Sequence, residues 1–182
     1  MSGHGRRGDS EKEGDDGMNV NIYIETSFSG PATKRAAGAW IVDYLSSTGN
    51  PVTRGGILYA DKTTENELAL QLIRKAFSIL TKTCCAVVFT RCGHVLRTMQ
   101  NHWLWQWQKN HWVNAKGKMV KNAETWNKCA KLIEQHVTEW TDAEHAYRWC
   151  MQGRINKELT LEHDSPVEGI YVDVPVPEWN TR

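Results

Sequence analysis

The chain has 182 residues, with 22 Lys and Arg against 21 Asp and Glu, so its formal net charge is +1. This length fits one domain of ordinary size with room for tails. No apolar run approaches the ~18 residues that a membrane-spanning helix needs, and no charged start followed by an apolar stretch marks a secretory signal. We therefore expect no membrane association.

The chain contains five cysteines, an odd number, and no two of them form a Cys-x-x-Cys pair. This pattern argues against a disulfide framework and against a cysteine-rich zinc site. We expect a reducing interior and hence a cytoplasmic location.

The near-zero net charge conceals an uneven distribution. Residues 19–163 contain 18 basic and 12 acidic residues, a net charge of +6, whereas residues 1–18 carry −2 and residues 164–182 carry −3. We predict a flexible acidic tail over 1–18, a folded domain over 19–163, and an acidic, proline-containing tail over 164–182. A basic body attracts polyanions, but the charge alone equally fits a solvated surface.

The first half of the chain predicts three strands with no room for a helix between them. Asn21–Glu25 alternates apolar and polar residues, Ala36–Leu45 and Thr53–Ala60 follow, and Asn50–Pro51 marks the last turn. Three consecutive strands of this kind predict an antiparallel meander.

The second half of the chain predicts helices and further strands. Thr63 or Thr64 is a candidate cap for a helix with one apolar face, and the apolar run Cys84–Phe89 predicts a strand buried on both sides. The apolar face of that helix comprises Ala69, Leu72, Ile73, Ala76, Phe77 and Leu80. A helical stretch to about Lys109 and a loop over 110–122 come next. The following helix has an apolar face formed by Trp126, Cys129, Ala130 and Ile133. The last predicted elements of the domain are a strand over Val137–Thr141 and a helix from Tyr147 to about Leu159. Within the last tail, Ile170–Val174 either pairs briefly at a sheet edge or stays extended. The fold class is a mixed α/β sheet flanked by helices.

One long block, Trp103–Trp126, combines regularly spaced tryptophans with Val120-Lys121-Asn122 and a final Trp. It resembles the helix and basic handle of bacterial ribonuclease H. The three leading strands, the first strand ending at Glu25, and Thr63–Asn66 before an amphipathic helix also resemble that family, over about residues 20–160. The chain is also similar to a divergent ribonuclease-H-like group that is carried on mobile elements of Gram-positive gut bacteria.

The resemblance implies a nuclease site in which four carboxylates hold two divalent cations, Mg²⁺ or Mn²⁺. The family's first Asp falls on Glu25, whose extra methylene shifts the carboxylate by about an ångström. The family's helix Glu falls on Ala69, and the Asp after the fourth strand falls on Arg91. The last Asp falls among Met151, Gln152 and Asn156, none of which is an acid. These positions predict that most metal ligands are replaced, which leaves Glu25 as the one candidate ligand.

Three further interpretations concern individual side chains of this region. Glu25 and Arg91 are hypothesised to form an ion pair that fills the metal position with a fixed cation. His145 matches either a surface histidine, which we favour, or the loop histidine that the family uses in product release. His136 is expected to end a helix as a cation that suits the helix dipole.

The strongest functional signal is the basic handle, which we define as residues 109–122. The resemblance implies that it contacts nucleic acid, as does Asn66, whereas Glu65 beside Asn66 is expected to repel phosphate. The candidate nucleic-acid-binding residues are Lys109, Lys116, Lys118, Lys121, Asn122 and Asn66. A solvated surface remains an open alternative for the lysines. The tryptophans Trp103, Trp107, Trp112 and Trp126 are expected to pack the helices against the handle and not to stack on bases.

The sequence thus predicts a catalytically degenerate ribonuclease-H-like protein that needs no cofactor and binds an RNA–DNA hybrid or a structured RNA. One alternative is an active hybrid nuclease that uses Mg²⁺ or Mn²⁺, with Glu25 among its ligands. Another is a protein-interaction module in which the acidic tails carry the binding. The sequence does not identify a protein partner.

Overall fold

The computed structural model describes residues 17–161, 163, 170–176 and 179. This part of the chain forms six strands and five helices. The strands are β1 (Met18–Thr26), β2 (Thr33–Leu45), β3 (Pro51–Thr64), β4 (Cys84–Thr90), β5 (Val137–Thr141) and β6 (Val172–Pro175). The helices are α1 (Glu65–Ser78), α2 (Gly93–Gln100), α3 (Trp103–Lys109), α4 (Ala123–Ile133) and α5 (Arg148–Thr160).

The strands form one mixed sheet with the order β5-β4-β1-β2-β3-β6. The first three strands pair antiparallel as a meander, because only short turns connect them. Strand β4 pairs parallel with β1, and β5 pairs parallel with β4. The predicted fold class, three antiparallel strands followed by parallel strands and flanked by helices, is confirmed.

The ends of the described chain are part of the sheet. Met18, which the sequence analysis assigned to the tail, is the first residue of β1 and lies opposite Cys84. Of the two alternatives for Ile170–Val174, sheet pairing is the one found, since β6 pairs antiparallel with β3 from Gly56 to Tyr59. Residues 1–16 and 164–169 lie outside the described residues.

The helical stretch predicted to run to about Lys109 is two helices, α2 and α3. His102 separates them in the left-handed conformation, with a φ of 57°. A residue in this conformation cannot continue a right-handed helix. The break redirects the chain, so that α3 leads into the basic handle.

Helices cover both faces of the sheet. Helices α1 and α4 pack on one face, where Phe77 and Trp126 are almost fully buried. Helix α5 covers part of the other face, where Met151 and Ile155 pack against the central strands. None of the described helices is both long and apolar enough to cross a bilayer.

One glycine allows α1 to lie close to the strand end that carries Glu25. A Cβ atom at Gly38 would lie 2.5 Å from Leu72 Cδ1 and 3.0 Å from the backbone oxygen of Glu25. Helix and sheet approach here to a distance that no side chain at position 38 allows. The position of Glu25 relative to α1 is thereby fixed.

Candidate nucleic-acid interface

Strands β1 and β4 end side by side at the carboxyl edge of the parallel part of the sheet. Ile24 lies opposite Thr90, so Glu25 and Arg91 follow on neighbouring strands. Helix α5 passes this edge and contributes Gln152. Together these residues line a small polar cleft with a volume of about 80 Å³. Ligands of open α/β sheets bind at such strand ends, so this cleft is the first candidate site.

The carboxylate of Glu25 is enclosed by protein donors. Its Oε1 atom lies 2.8 Å from Nε2 of His145, and its Oε2 atom accepts a hydrogen bond of 2.8 Å from Nε2 of Gln152. The Gln152 amide also donates to the backbone oxygen of Thr26 at 3.3 Å. Both carboxylate oxygens are therefore engaged, and Glu25 is only 4% exposed.

His145 is buried, and the surface interpretation favoured from the sequence is wrong. Its side chain is 5% exposed, and its ring centroid lies 4.7 Å from that of Tyr23 and 5.8 Å from that of Phe89. The Nδ1 atom is buried and has no hydrogen-bond partner among the described residues. A single ring proton therefore belongs on Nε2, where it is donated to Glu25.

Arg91 does not form the ion pair with Glu25 that the sequence analysis hypothesised. The described residues contain no salt bridge between them, and Arg91 is exposed at the rim of the cleft. The hypothesis is wrong because the Glu25 carboxylate is already satisfied by His145 and Gln152 beneath the surface. Arg91 therefore presents its cation to solvent.

Ala69 and Glu65, the two positions on α1 discussed above, both have buried side chains. Ala69 is fully buried in the core and has no polar atom on its side chain. Glu65 is 7% exposed, and its Oε2 atom accepts a hydrogen bond of 2.8 Å from the backbone nitrogen of Gly30. This hydrogen bond holds the Glu65 carboxylate against the backbone, and its repulsion of phosphate stays a prediction.

Asn66 lies at the edge of the same cleft and is half-buried. Its Oδ1 atom accepts a hydrogen bond of 3.2 Å from Sγ of Cys92, the residue that follows Arg91. Burial, reinforced by the negative charge of Glu65, raises the pKa of the Cys92 thiol to about 11. The thiol therefore remains protonated near neutral pH and acts as a donor, not as a thiolate ligand.

These residues do not fit the pair of divalent cations that the resemblance implies. The cleft offers one carboxylate with both oxygens engaged, an amide at position 152 and an arginine at position 91, whereas Ala69 lies in the core. No three His, Cys, Asp or Glu side chains within the described ranges lie close enough together to hold a metal ion. Mg²⁺ prefers several oxygen ligands with octahedral geometry, which this set does not supply.

The basic handle is an ordered loop between α3 and α4. A β-bridge joins Val113 to Met119, and the Oδ1 atom of Asn114 accepts hydrogen bonds of 3.0 Å from the backbone nitrogens of Lys116 and Lys118. Gly117 has a φ of 76°, which suits the tip of the turn. The loop therefore holds the lysines at fixed positions before any ligand binds.

The candidate lysines are on the outside of this loop. Lys109, Lys116, Lys118 and Lys121 are exposed, and Asn122 is half-buried at the N-terminus of α4. Further along α4, Lys128 is paired with Glu124 at 3.0 Å. The handle thus presents a cluster of cations, and no acidic residue occurs between Lys109 and Asn122.

Arg97 of α2 extends this cluster, and neither Arg97 nor its neighbour His94 was singled out by the sequence analysis. The pKa of His94 is lowered by burial and by the cations of Arg97 and Lys121. These effects require that α2 and the handle lie beside one another. The i, i+3 spacing of His94 and Arg97 places them on one helix face, but the sequence did not reveal that this face meets Lys121.

Most tryptophans of the block pack as expected. Trp126 is 1% exposed, and its ring meets that of Trp107 edge-on, with 5.8 Å between centroids. Trp112 packs against the core from within the handle, and Trp103 is the more exposed member, at 38%. The aromatic packing fixes α3, the handle and α4 to one another.

The family model for RNase H matches residues 17–145. This chain belongs to the ribonuclease H family. A ribonuclease H from Actinobacillus pleuropneumoniae is 34% identical over 122 residues, which cover 67% of this chain and 75% of that protein. A ribonuclease H from Lachnoclostridium phytofermentans is 29% identical over 119 residues, which cover 65% of this chain and 75% of that protein.

Solved ribonuclease H structures share the fold. A type 1 ribonuclease H with the type 2 active-site motif matches with a TM-score of 0.59 and 21% identity, over 78% of this chain and 70% of that one. The N-terminal ribonuclease H domain of a Mycobacterium tuberculosis protein, solved as a fusion with maltose-binding protein, matches with a TM-score of 0.53 and 16% identity, over 77% of this chain and 92% of that one. A foamy viral protease–reverse transcriptase in complex with an RNA/DNA hybrid matches with a TM-score of 0.51 and 15% identity, over 77% of this chain and 19% of that one.

Proposed function

We propose that this ribonuclease H family member binds nucleic acid, an RNA–DNA hybrid or a structured RNA, through its basic handle and does not cleave it by the two-metal route. The enclosure of Glu25 by His145 and Gln152 is the observation that supports this proposal most directly. Each oxygen keeps a second lone pair, but Glu25 is only 4% exposed and is the one acid among the residues that line the cleft, so a divalent cation finds too few oxygen ligands there.

Substitution at the other positions supports the same conclusion. Ala69 lies in the core, Arg91 is a permanent cation, and Gln152 carries an amide where the family has its last acid. Of the three sequence candidates for that last position, Gln152 is the one that contacts Glu25, whereas Met151 is fully buried. A site with one carboxylate and one permanent cation lacks the excess of negative charge that would hold a divalent cation.

The handle supplies the binding energy in this proposal. Lysines that neutralise phosphates release condensed counterions, so affinity falls steeply as the salt concentration rises. The Asn114 hydrogen bonds and the Val113–Met119 bridge order the loop beforehand, which lowers the entropy lost on binding. Arg97, which acts on His94 together with Lys121, adds a further exposed cation beside the handle.

The reverse transcriptase in complex with an RNA/DNA hybrid, which shares this fold, supports a hybrid as the first ligand to test. We further propose that the protein needs no metal cofactor for binding and functions in mobile-element biology. Metal-dependent cleavage through a different set of acids is the second candidate, because one similar structure is described as carrying a variant active-site motif.

The proposal is tested by measuring hybrid affinity as a function of salt. The double variant Lys118→Glu/Lys121→Glu is compared with wild type and with Lys82→Glu. The latter reverses an exposed charge just before β4, at the end of that strand remote from the cleft. We expect the double variant to bind the hybrid at least tenfold more weakly. The slope of its affinity against salt concentration is expected to decrease by the equivalent of roughly two phosphate contacts. If the wild-type protein does not bind at low salt, the proposal is wrong and an interaction module is favoured.

A further inference from the structure

Trp149 is a large aromatic side chain with almost no protein contact. It lies in the first turn of α5 and is 86% exposed, whereas Trp105, Trp107 and Trp126 of α3 and α4 pack against the core. Tryptophan buries more apolar surface than any other residue when it finds a partner. A single exposed apolar residue is common on protein surfaces, and Trp149 is of interest because of its position on α5.

The helix places Trp149 beside the candidate cleft. Gln152 follows it by three residues, so the two side chains lie on neighbouring parts of one helix face. Gln152 is anchored to Glu25 and to the backbone oxygen of Thr26, which fixes that face at the cleft edge. Asn156, one turn further, is exposed on the same side. A strand that follows the cleft past Gln152 therefore reaches Trp149.

Gly153 is the second observation, and packing within the protein does not explain it. It lies in the middle of α5, where glycine is less favourable than alanine. A Cβ atom built there meets no other atom within 4 Å, so a side chain would fit without any clash. Helical side chains lean toward the N-terminus, so the missing one would lie over the turn that begins at Trp149. Its absence leaves helix backbone open to solvent beside Trp149, and we call this uncovered stretch the slot.

We propose that Trp149 and the slot at Gly153 bind an unpaired nucleobase of the nucleic acid held by the handle. This inference rests on the proposed function and adds the structural class of the ligand, a duplex flanked by single-stranded nucleotides. Bases inside a duplex present no free face, whereas an unpaired base stacks on an aromatic ring regardless of its sequence. The slot provides the close approach to the helix that such stacking requires.

The test uses labelled hybrids that differ only in a short single-stranded overhang. Affinity for the blunt hybrid and for hybrids with a DNA or an RNA overhang is measured by fluorescence anisotropy for wild type, Trp149→Ala and Trp149→Phe. Leu45→Ala is the matched control, because Leu45 is also an exposed apolar residue, at 62%, and lies at the opposite end of the sheet. We expect Trp149→Ala to lose about tenfold for overhangs and less than twofold for the blunt hybrid, with Trp149→Phe intermediate.

Gly153→Ala separates a binding role from a structural one. Alanine at this helical position is expected to raise the melting temperature by about 2 °C and to weaken overhang binding, because its methyl group enters the slot. The inference is overturned if Trp149→Ala and Gly153→Ala bind overhangs like wild type while the Lys118→Glu/Lys121→Glu variant still loses affinity. An equal loss for blunt and overhang hybrids also overturns it. A wild-type protein that binds no hybrid contradicts the proposed function itself.

Discussion

The Nε2 atom of His145 lies 2.8 Å from the Oε1 atom of Glu25, and both side chains are about 5% exposed or less. A histidine thus contacts one oxygen of the carboxylate that the resemblance assigned to metal binding. Together with Gln152 on the other oxygen, it converts the acid at the end of β1 into part of a buried hydrogen-bond network. Such a network is stable only when each member keeps its partner.

We predict that His145→Ala lowers the free energy of unfolding by about 2–4 kcal/mol, because it leaves a buried carboxylate with one donor fewer and creates a cavity beside Tyr23. Urea denaturation measures this change. Asp142→Ala, in the same loop but exposed, is the matched control and is expected to change stability by less than about 0.5 kcal/mol. Equal stabilities of the two variants would contradict the network.

We predict that Arg91→Asp does not create a Mg²⁺ site. The new carboxylate adds one ligand, but Glu25 remains engaged and Ala69 contributes none. The melting temperature of Arg91→Asp in millimolar Mg²⁺ is compared with that in chelator, and Arg91→Asn is the control of equal size without charge. If Mg²⁺ raises the melting temperature of Arg91→Asp but not that of Arg91→Asn, Glu25 is available to a metal and the prediction is wrong.

We predict that His136, which follows α4, lowers the free energy of unfolding on mild acidification. The Nδ1 atom of His136 accepts a hydrogen bond of 3.1 Å from the backbone nitrogen of Cys84, and burial lowers the pKa of His136. The expectation that His136 is a cation at the end of a helix is therefore wrong. His136 binds a proton less tightly in the folded state than in the unfolded state. Its contribution to the free energy of unfolding is therefore present above the unfolded pKa of about 6.5 and is lost as the pH falls below that value.

The measurement is the free energy of unfolding between pH 7.5 and pH 5, in wild type and in His136→Asn. Asparagine offers a side-chain acceptor that does not titrate in this range. We expect a smaller decrease with acidification in the variant. Parallel pH profiles for the two proteins would exclude His136 as a contributor.

We predict that removal of residues 170–182 lowers the free energy of unfolding by about 2–5 kcal/mol. It removes β6 from the edge of β3 and uncovers the surface beneath Val176, which is 5% exposed. Asp173→Ala, which removes only the exposed ion pair to Lys75 at 2.7 Å, is the control and is expected to cost less than about 1 kcal/mol. Unchanged stability of the truncated chain would mean that β6 contributes nothing to the folded state.

The sequence predicted the strands and the core faces because they depend on local periodicity. Alternation defined β1, helical spacing defined the buried face of α1, and the continuous apolar run defined β4. The break at His102 was missed, since a left-handed residue in a polar segment has no periodic signal. The pairing of β6 was one of two open alternatives, because a short strand next to prolines forms only when an edge is available.

The candidate site was less predictable, because its contacts join distant segments. The strand pattern implied that Glu25 and Arg91 follow neighbouring strands, as they do, but it suggested the wrong partner for Glu25, and Ala69 lies in the core. The contact of His145 with Glu25 spans 120 residues and depends on the path of the loop before α5. Neither charge nor spacing in the sequence encodes that path.

A combined cleavage and binding assay on a labelled RNA–DNA hybrid tests the central claim most directly. Binding and strand cleavage are measured in the same samples with Mg²⁺, with Mn²⁺ and with chelator, for wild type and Glu25→Gln. The account predicts salt-dependent binding that is the same in all three conditions, and no cleavage by either protein. Cleavage by the wild-type protein that requires a divalent cation and disappears in Glu25→Gln would contradict it.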